Sequence, residues 1–237
     1  MRKVICSLGE GEHKHFLKLS SVTFKDYASR FNYELELHYQ RPTNQRPAAW
    51  GKIELMRNLL AVYDLVLWID ADAIFVNNYG GDIADEIESN KPIYLVQHRI
   101  AGEKIPNTGV LMLLKSSISL KLLDDIWNST QFIEHPWWEN AALIYLLGYK
   151  IDLPGYEIKP TFSEENSPYL PYIKFLDKKW NSILADPADR PQIKHFAGRT
   201  NQERSLLLQN CLETYFNRSL ESSLNYQQIT PFTLEIF

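Results

Sequence analysis

Two hydrophobic periodicities alternate over the first 75 residues of the chain. Short apolar runs predict three strands, KVICSL, YELELHY and DLVLWI. Between them, apolar residues recur at helical spacing over residues 14–30 and over KIELMRNLLAVY, which predicts two helices. The order strand, helix, strand, helix, strand is typical of an open, mostly parallel sheet with helices on both faces. We therefore predict an α/β fold.

The rest of the chain has fewer regular patterns. PIYLVQH and GVLMLLK predict two strands, the second preceded by EKIPNT and followed by a helix over residues 120–127. HPWWENAALIYLLGY predicts a helix that starts after a proline. Residues 150–195 contain short strand-like runs and many prolines, ending in QIKHFAG, a strand with a glycine turn. Residues 200–215 predict a last helix, and the final stretch has no clear pattern.

Length, charge and cysteine content narrow the class of protein. A chain of 237 residues can form one α/β domain, and we expect a single domain over 1–237. The net charge of −4 argues against a general nucleic-acid binder. The apolar part of the N-terminus is too short for a signal peptide, and no apolar run is long enough to span a membrane, so we expect a cytoplasmic protein. Cys6 and Cys211 give no metal-type spacing and no disulfide framework. Oligomeric state is not indicated.

The candidate chemistry begins with two carboxylates at the end of the third predicted strand. Asp70 and Asp72, in DLVLWIDADAIFV, are two residues apart, so in extended chain both face one side. Two such anions at about 4 Å would repel by about 4 kcal/mol at an effective dielectric constant of 20. A cation between them would remove this cost, and oxygen ligands suit Mg²⁺ or Mn²⁺ with positions left open for phosphates. The alternative is a pair that caps a turn or a helix.

Four segments together resemble a known family. AAWGKIELMRNLLAVYDLVLWIDADAIFVN resembles the core of GT-A fold glycosyltransferases, in particular the galactosyl- and xylosyltransferase family that includes yeast mannan and plant xyloglucan enzymes. PNTGVLMLLKSS, WWENAALIYLL and IKHFAG follow in the same order, so the resemblance covers residues 48–198, with a weaker match of KVICSLGEG. It implies a nucleotide-diphospho-sugar transferase fold with a Rossmann-like mixed, mostly parallel sheet flanked by helices.

The resemblance also implies a metal site. Asp70, Ala71 and Asp72 correspond to the D-x-D motif that holds Mn²⁺, or Mg²⁺, on the diphosphate of a nucleotide sugar. His195 corresponds to a third metal ligand, the alternative being a core histidine. Gly198 would let the backbone approach the phosphates closely.

Further residues would bind the donor. The resemblance places Lys52 at the donor phosphates, the alternative being a solvated helix lysine, and Asn107 and Gly109 along the donor sugar, the alternative being a turn. Arg57 is a weaker candidate on the same helix as Lys52. The loop after the first strand is expected to recognise the base, through Ser7, Leu8 and Gly9.

The segment WWEN departs from the family pattern, which usually ends in glutamine here. Glu139 and Asn140 are expected near the anomeric carbon as polar stabilisers, since the resemblance implies retention of configuration. An inverting reaction would instead need a general base, for which Glu139 is the candidate. Trp137 and Trp138 could stack on a sugar, although at least one is expected in the core.

The predicted function is therefore metal-dependent transfer of a sugar from a nucleotide-diphosphate sugar, with UDP favoured and GDP second, to a glycan hydroxyl. One alternative is a haloacid-dehalogenase-type phosphatase, but its nucleophile follows the first strand, and the later acidic pair Asp124 and Asp125 falls in a helical pattern. The other alternative is a sugar- or nucleotide-binding protein of the same fold without turnover, which the shortened amide at Asn140 favours.

Overall fold

The structure is a computed structural model that describes residues 1–77, 80–100, 102–151, 158–159 and 167–227. The first third confirms the predicted alternation of strands and helices. Its elements are β1 (Lys3–Leu8), α1 (His13–Phe31), β2 (Glu34–His38), α2 (Gly51–Val62) and β3 (Leu65–Ile69). Strand β3 is buried along its whole length, as a central strand covered on both faces should be.

The remaining elements are less regular. They are β4 (Ala73–Phe75), β5 (Ile93–Ile100), β6 (Glu103–Leu114), α3 (Ser117–Asn128), α4 (Trp138–Leu146), β7 (Lys150–Ile151), β8 (Ile158–Lys159), β9 (Ile173–Leu176), β10 (Ser182–Ile183), β11 (Ile193–His195) and α5 (Asn201–Gln227). Helix α5 continues well beyond the predicted end at residue 215, because neither glycine nor proline follows before Pro231. Part of the proline-rich stretch and the last ten residues lie outside the described ranges.

Six strands form the main sheet of the described residues, in the order β2-β1-β3-β6-β5-β9. Strand β1 pairs in parallel with β2 and β3, and β5 pairs in parallel with β9. Strand β6 runs antiparallel between β3 and β5. This arrangement confirms the predicted mixed, mostly parallel sheet.

Helices cover both faces of this sheet. Helices α2, α3 and α4 pack on one face, where Val66 and Trp68 of β3 point. Helices α1 and α5 pack on the other, where Leu65 and Leu67 point. Within the described residues, no helix combines the length and apolarity needed to cross a bilayer.

Strand β6 contains a bulge that the sequence pattern does not reveal. Leu95 pairs with Leu111, whereas the next residue, Val96, pairs with Asn107, so residues 108–110 leave β5. Val110 still pairs with Ile69 of β3. The segment EKIPNT, expected as a lead-in to a strand, is itself part of β6, because it continues the antiparallel pairing with β5 beyond the bulge. We call residues 108–110 the β6 bulge.

A smaller sheet, β10-β11-β4, brings the C-terminal part of the chain to the end of β3. Antiparallel pairing of β11 with β4 sets His195 opposite Ala73. The backbone N–H of Phe196 also donates to the carbonyl of Asp72 over 3.0 Å. Residues more than 120 positions apart in sequence are thereby fixed next to each other.

Candidate functional site

Asp70 and Asp72 lie in a tight turn between β3 and β4. The N–H of Asp70 donates to the carbonyl of Gly109 in the β6 bulge over 2.8 Å, and the N–H of Ala73 donates back to the carbonyl of Asp70 over 3.0 Å. The turn sits at the carboxyl end of a central strand, where open α/β sheets bind their ligands. The predicted location of the pair is confirmed.

His195 faces the same point as the two carboxylates. Its Nε2 lies 3.4 Å from Oδ1 of Asp72 and 3.7 Å from Oδ2 of Asp70. One ligand atom from each of the three residues lies within 4.8 Å of the others. Two carboxylate oxygens suit Mn²⁺ or Mg²⁺, and the imidazole nitrogen favours a transition metal such as Mn²⁺ over Mg²⁺. The residues therefore fit the metal that the sequence pattern implied.

In each aspartate, the carboxylate oxygen that does not face His195 contacts a basic side chain or a hydrogen-bond donor. Oδ1 of Asp70 lies 3.0 Å from Nζ of Lys52 and accepts a hydrogen bond from Nε1 of Trp68 at 2.6 Å. Oδ2 of Asp72 lies 3.0 Å from Nε of Arg204 on α5. The second oxygen of each aspartate, the one near His195, is the oxygen left for a cation. These contacts orient both candidate ligands.

Lys52 is buried at the start of α2 and is surrounded by protein oxygens. Besides Asp70, its Nζ contacts Oε1 of Glu139 at 2.8 Å, and the carbonyl and hydroxyl oxygens of Thr108 at 3.1 and 3.2 Å. An ammonium has three N–H groups, so these contacts use all of them. The predicted contact of Lys52 with donor phosphates stays a prediction, and what the structure shows is an ammonium that connects α2, α4 and the β6 bulge to Asp70.

Charge at the site shifts several pKa values. Burial acts to lower the pKa of Lys52, but the carboxylates of Asp70 and Glu139 raise it overall. Burial acts to raise the pKa of Asp72, but His195, Arg204 and the nearby His13 lower it to about 2. Burial acts to lower the pKa of His195, yet the two aspartates raise it. The two carboxylates thus favour positive charge at the point that His195 faces.

The net charge of the side chains around Asp70 and Asp72 also favours a cation at this site. Of the groups just described, Asp70, Asp72 and Glu139 are acidic, and Lys52 and Arg204 are permanently basic. With His195 neutral, this set keeps one excess negative charge. An excess negative charge in a largely buried cluster favours a nearby cation, and a divalent cation held by the two aspartates would leave one positive charge for an anionic ligand to balance.

The structure shows what WWEN contacts. Glu139 is buried against Lys52, and Oδ1 of Asn140 accepts a hydrogen bond from the N–H of Thr108 at 2.9 Å. Both residues therefore support the β6 bulge. Trp137 packs partly against the core, as expected of one of the two tryptophans, while Trp138 is 42% exposed and has a φ of +43°. The catalytic roles of Glu139 and Asn140 stay predictions.

Asn107 and Gly109 lie beside the candidate metal ligands. A Cβ atom added to Gly109 would lie 2.1 Å from Cε1 of His195, so only glycine leaves room for the imidazole. The carbonyl oxygen of Asn107 accepts the N–H of Gly109 at 2.8 Å. Gly198 has a φ of +71° and open space where a side chain would be.

The residues predicted to bind the base or to complete D-x-D are packed tightly. Ser7 is fully buried and its hydroxyl has no hydrogen-bond partner among the described residues, and Leu8 packs on the core. A Cβ on Gly9 would lie 2.5 Å from the carbonyl oxygen of His13, so this glycine allows β1 to turn into α1. Ala71 is buried, and its carbonyl accepts a hydrogen bond from Ser20. Recognition of a base by residues 7–9 stays a prediction.

Sequence patterns did not indicate that three further residues contact the site: Thr108 contacts Lys52, Asn181 contacts His195 and Arg204 contacts Asp72. Arg204 follows HFAG in the first turns of α5 and resembles any exposed helix arginine, so no local pattern distinguishes it.

Arg57, the weaker donor-binding candidate, pairs with Asp124 of α3. Its Nε lies 2.5 Å from Oδ1 of Asp124, and both side chains are about half exposed. Asp124 and Asp125 lie in α3, as the helical pattern predicted, which does not favour the phosphatase alternative.

Neither a family model nor a curated protein matches the sequence. Solved structures do match. A glycosyltransferase involved in glycosylation of the major capsid of PBCV-1 has a TM-score of 0.66 at 14% identity, covering 88% of this chain and 99% of that one. The apo-form glycosyltransferase GlyE of Streptococcus pneumoniae TIGR4 has a TM-score of 0.55 at 13% identity, covering 92% and 64%.

The bifunctional glycosyltransferase WbbM has a TM-score of 0.53 at 9% identity, and this chain covers 49% of its length. At such low identity these similarities establish the fold. The protein has the GT-A type of mixed α/β fold, as the sequence predicted. The narrower resemblance to the yeast and plant family is not established by them.

Proposed function

We propose that the protein is a metal-dependent glycosyltransferase that moves a sugar from a nucleotide-diphosphate sugar to a hydroxyl of a glycan acceptor. One observation carries the proposal: Asp70, Asp72 and His195 converge at the carboxyl edge of a GT-A type sheet. The cation would be Mn²⁺ or Mg²⁺, held by these three residues. It would supply Lewis-acid neutralisation of the charge that develops on the departing diphosphate.

The protein's own residues set up this site. Lys52 and Trp68 orient Asp70, and Arg204 orients Asp72, through contacts of 3.0, 2.6 and 3.0 Å. Charged ligands held in place by other charged groups need no reorganisation when the substrate binds. The glycine at 109 keeps the ring of His195 within reach of both aspartates.

The donor is proposed to be a UDP-sugar, with a GDP-sugar as second choice. The preference rests on the resemblance to the galactosyl- and xylosyltransferase family, and we propose that this protein belongs to that family. In this proposal, the loop after β1 binds the base and Asn107 lies along the donor sugar.

Retention of configuration is supported by the surroundings of Glu139. This carboxylate is 4% exposed and pairs with Lys52 at 2.8 Å, so it is not free to remove a proton from an acceptor. A retaining transfer needs no such base. The C–O bond to the diphosphate breaks as the acceptor oxygen bonds to the anomeric carbon on the same face, and the acceptor proton passes to the departing phosphate oxygen.

Thermal unfolding with a series of nucleoside diphosphates, each with and without MnCl₂, tests the proposal. A ligand at about 100 times its dissociation constant stabilises the folded state by about 2.7 kcal/mol. We expect UDP to raise the unfolding temperature only with Mn²⁺, and Asp70→Asn to abolish the shift. Asp124→Asn, which removes a surface carboxylate on α3, is the matched control and should keep it.

If no diphosphate changes the unfolding temperature of the wild type with or without Mn²⁺, the proposal fails. A binding protein without turnover is the second candidate, because the amide of Asn140 is already bonded to the backbone of Thr108. It would give the same thermal shift. Release of UDP from UDP-sugars in the presence of acceptor glycans distinguishes the two, since only the transferase produces it.

A further inference from the structure

We propose that Asn181 is a positioning residue that determines which ring nitrogen of His195 is available to a metal. This inference deepens the proposed function and rests on it for the cation. Asn181 is fully buried and ends the short helix Lys178–Asn181, directly before β10. Parallel pairing of β10 with β11, with Ile183 opposite His195, brings the two side chains together.

The chain of hydrogen bonds to His195 begins at a backbone group that can only donate. The N–H of Gly109, in the β6 bulge, lies 2.8 Å from the side-chain amide of Asn107. The atom of Asn107 that faces it must be the carbonyl oxygen, since the NH₂ group has no lone pair to accept the bond. The orientation of the Asn107 amide is therefore fixed by the main chain.

The amide of Asn181 is fixed in turn. It contacts the same carbonyl oxygen of Asn107 at 2.8 Å. Two carbonyl oxygens facing each other would repel, so Asn181 presents its NH₂ group to Asn107 and its own oxygen to the other side. That oxygen lies 3.0 Å from Nδ1 of His195.

The tautomer of His195 follows from this contact. An amide oxygen only accepts hydrogen bonds, so Nδ1 carries a proton and donates it to Asn181. In the neutral ring the lone pair is then on Nε2, the atom 3.4 Å from Asp72 and 3.7 Å from Asp70. The opposite tautomer would direct an N–H at the space between the carboxylates. Metal-binding histidines usually donate their other N–H to such an acceptor, which fixes the ring.

The same chain of hydrogen bonds also orients Asn107. Its carbonyl oxygen accepts from both Gly109 and Asn181, and its NH₂ group makes no hydrogen bond within the described residues. Asn107 therefore offers hydrogen-bond donors, and not an acceptor, to whatever binds beside the metal ligands. A sugar hydroxyl or a phosphate oxygen can accept from them.

The first test is the tautomer itself. We would record ¹⁵N NMR of histidine-labelled, metal-free full chain at a pH where His195 is neutral, with His195→Gln to assign its signals. We expect a protonated, pyrrole-type Nδ1 and an unprotonated Nε2, and loss of this pattern in Asn181→Leu. A protonated Nε2 in the wild type would overturn the inference.

The second test is Mn²⁺ affinity, measured by the electron paramagnetic resonance of free Mn²⁺. Asn181→Leu should weaken binding by about 10- to 100-fold, the usual effect of losing such a partner. Asn181→Asp loses the hydrogen bond to Asn107 but keeps an oxygen acceptor for Nδ1, so its Mn²⁺ affinity should stay within about tenfold of the wild type and above that of Asn181→Leu. A purely structural role would change folding stability in both variants and leave Mn²⁺ binding alone.

The outcomes separate the two proposals. If the wild type binds Mn²⁺ and folded Asn181→Leu binds it equally well, the inference is wrong and the proposed function stands. If the wild type binds no Mn²⁺, the proposed function loses its cation, and the tautomer measurement still decides the role of Asn181. Should Asn181→Leu fail to fold, the wild-type spectrum and Asn181→Asp give the answer.

Discussion

Lys52 and Glu139 form a buried ion pair in which Nζ lies 2.8 Å from Oε1, with 3% and 4% of the two residues exposed. The same ammonium contacts Asp70 and Thr108, so the pair connects α2 and α4 to the candidate metal site. Removing one member of such a pair leaves the other charge buried without compensation.

We therefore expect Lys52→Met to lower the free energy of unfolding by about 3–5 kcal/mol. The double variant Lys52→Met/Glu139→Leu should recover part of this loss, because it removes the stranded carboxylate. Urea unfolding measures both. Arg57→Met, which breaks the exposed pair with Asp124, is the control and should cost less than about 1 kcal/mol. Equal costs for Lys52→Met and Arg57→Met would contradict the importance of the buried pair.

Gly109→Ala should impair metal binding. Its Cβ atom would lie 2.1 Å from Cε1 and 2.4 Å from Nδ1 of His195, so the imidazole must move. We expect Mn²⁺ affinity to fall by about tenfold or more, as for other losses of ligand orientation. Gly81→Ala, whose Cβ meets nothing closer than 3.4 Å, should bind Mn²⁺ like the wild type. Unchanged affinity in Gly109→Ala would mean that His195 is not a ligand.

His98 should make stability depend on pH. It is buried in β5, and its ring nitrogens have no hydrogen-bond partner among the described residues. Burial, partly offset by Asp186 at 3.7 Å and reinforced by His195 and Lys178, lowers its pKa from 6.5 to about 4. Below pH 6.5 the unfolded chain binds a proton at His98 that the folded chain does not. The contribution of neutral His98 to the free energy of unfolding is therefore fully present above pH 6.5 and is lost as the pH falls towards 4.

The shift corresponds to about 3 kcal/mol of stability lost across this window. His98→Phe removes the titrating group, so the difference in unfolding free energy between wild type and variant should change by about that amount between pH 4 and 6.5. Urea unfolding at a series of pH values gives the two curves. If they run parallel through the window, His98 is not the group responsible.

Trp138 should show backbone strain. Its φ of +43° lies in the left-handed region, which costs residues with a Cβ about 1–2 kcal/mol. We expect Trp138→Gly to be more stable than Trp138→Ala by about 1 kcal/mol. Tyr145, also exposed but inside α4, is the control: there alanine should be the more stable replacement. If alanine is the more stable replacement at both positions, Trp138 is unstrained.

This strain also bears on function. Strained residues that persist are common at binding sites. Trp138 is 42% exposed and immediately precedes Glu139, which contacts Lys52. For the proposed transferase we expect Trp138→Ala to raise KM for the acceptor with little effect on UDP binding. Steady-state kinetics with varied acceptor would test this, and an unchanged KM would exclude stacking by Trp138.

Local patterns were sufficient for much of the fold and for the carboxylate pair Asp70 and Asp72, whereas His195 was a candidate metal ligand only through the family resemblance. Strands β1 to β3 and the helices between them follow from periodicity, and Asp70 and Asp72 from their place at a strand end. The same reasoning could not find the β6 bulge, because EKIPNTG contains turn-forming residues whose pairing depends on β5. It could not tell that Lys52 is saturated by protein oxygens, since its partners come from three distant segments. Asn181 and Arg204 were missed for the same reason.

The β6 bulge makes one short stretch of backbone sensitive to changes of chain length. Thr108 contacts Lys52 and Asn140, and the carbonyl of Gly109 holds Asp70. Deleting one residue here would shift the register of the strand, so all of these contacts would be lost together. Further along the hairpin, residues of β5 contact other segments: Arg99 bonds to Asp186 and Gln97 to Tyr149. Insertions or grafted loops in an engineered variant therefore belong at the outer end of this hairpin and not at the bulge.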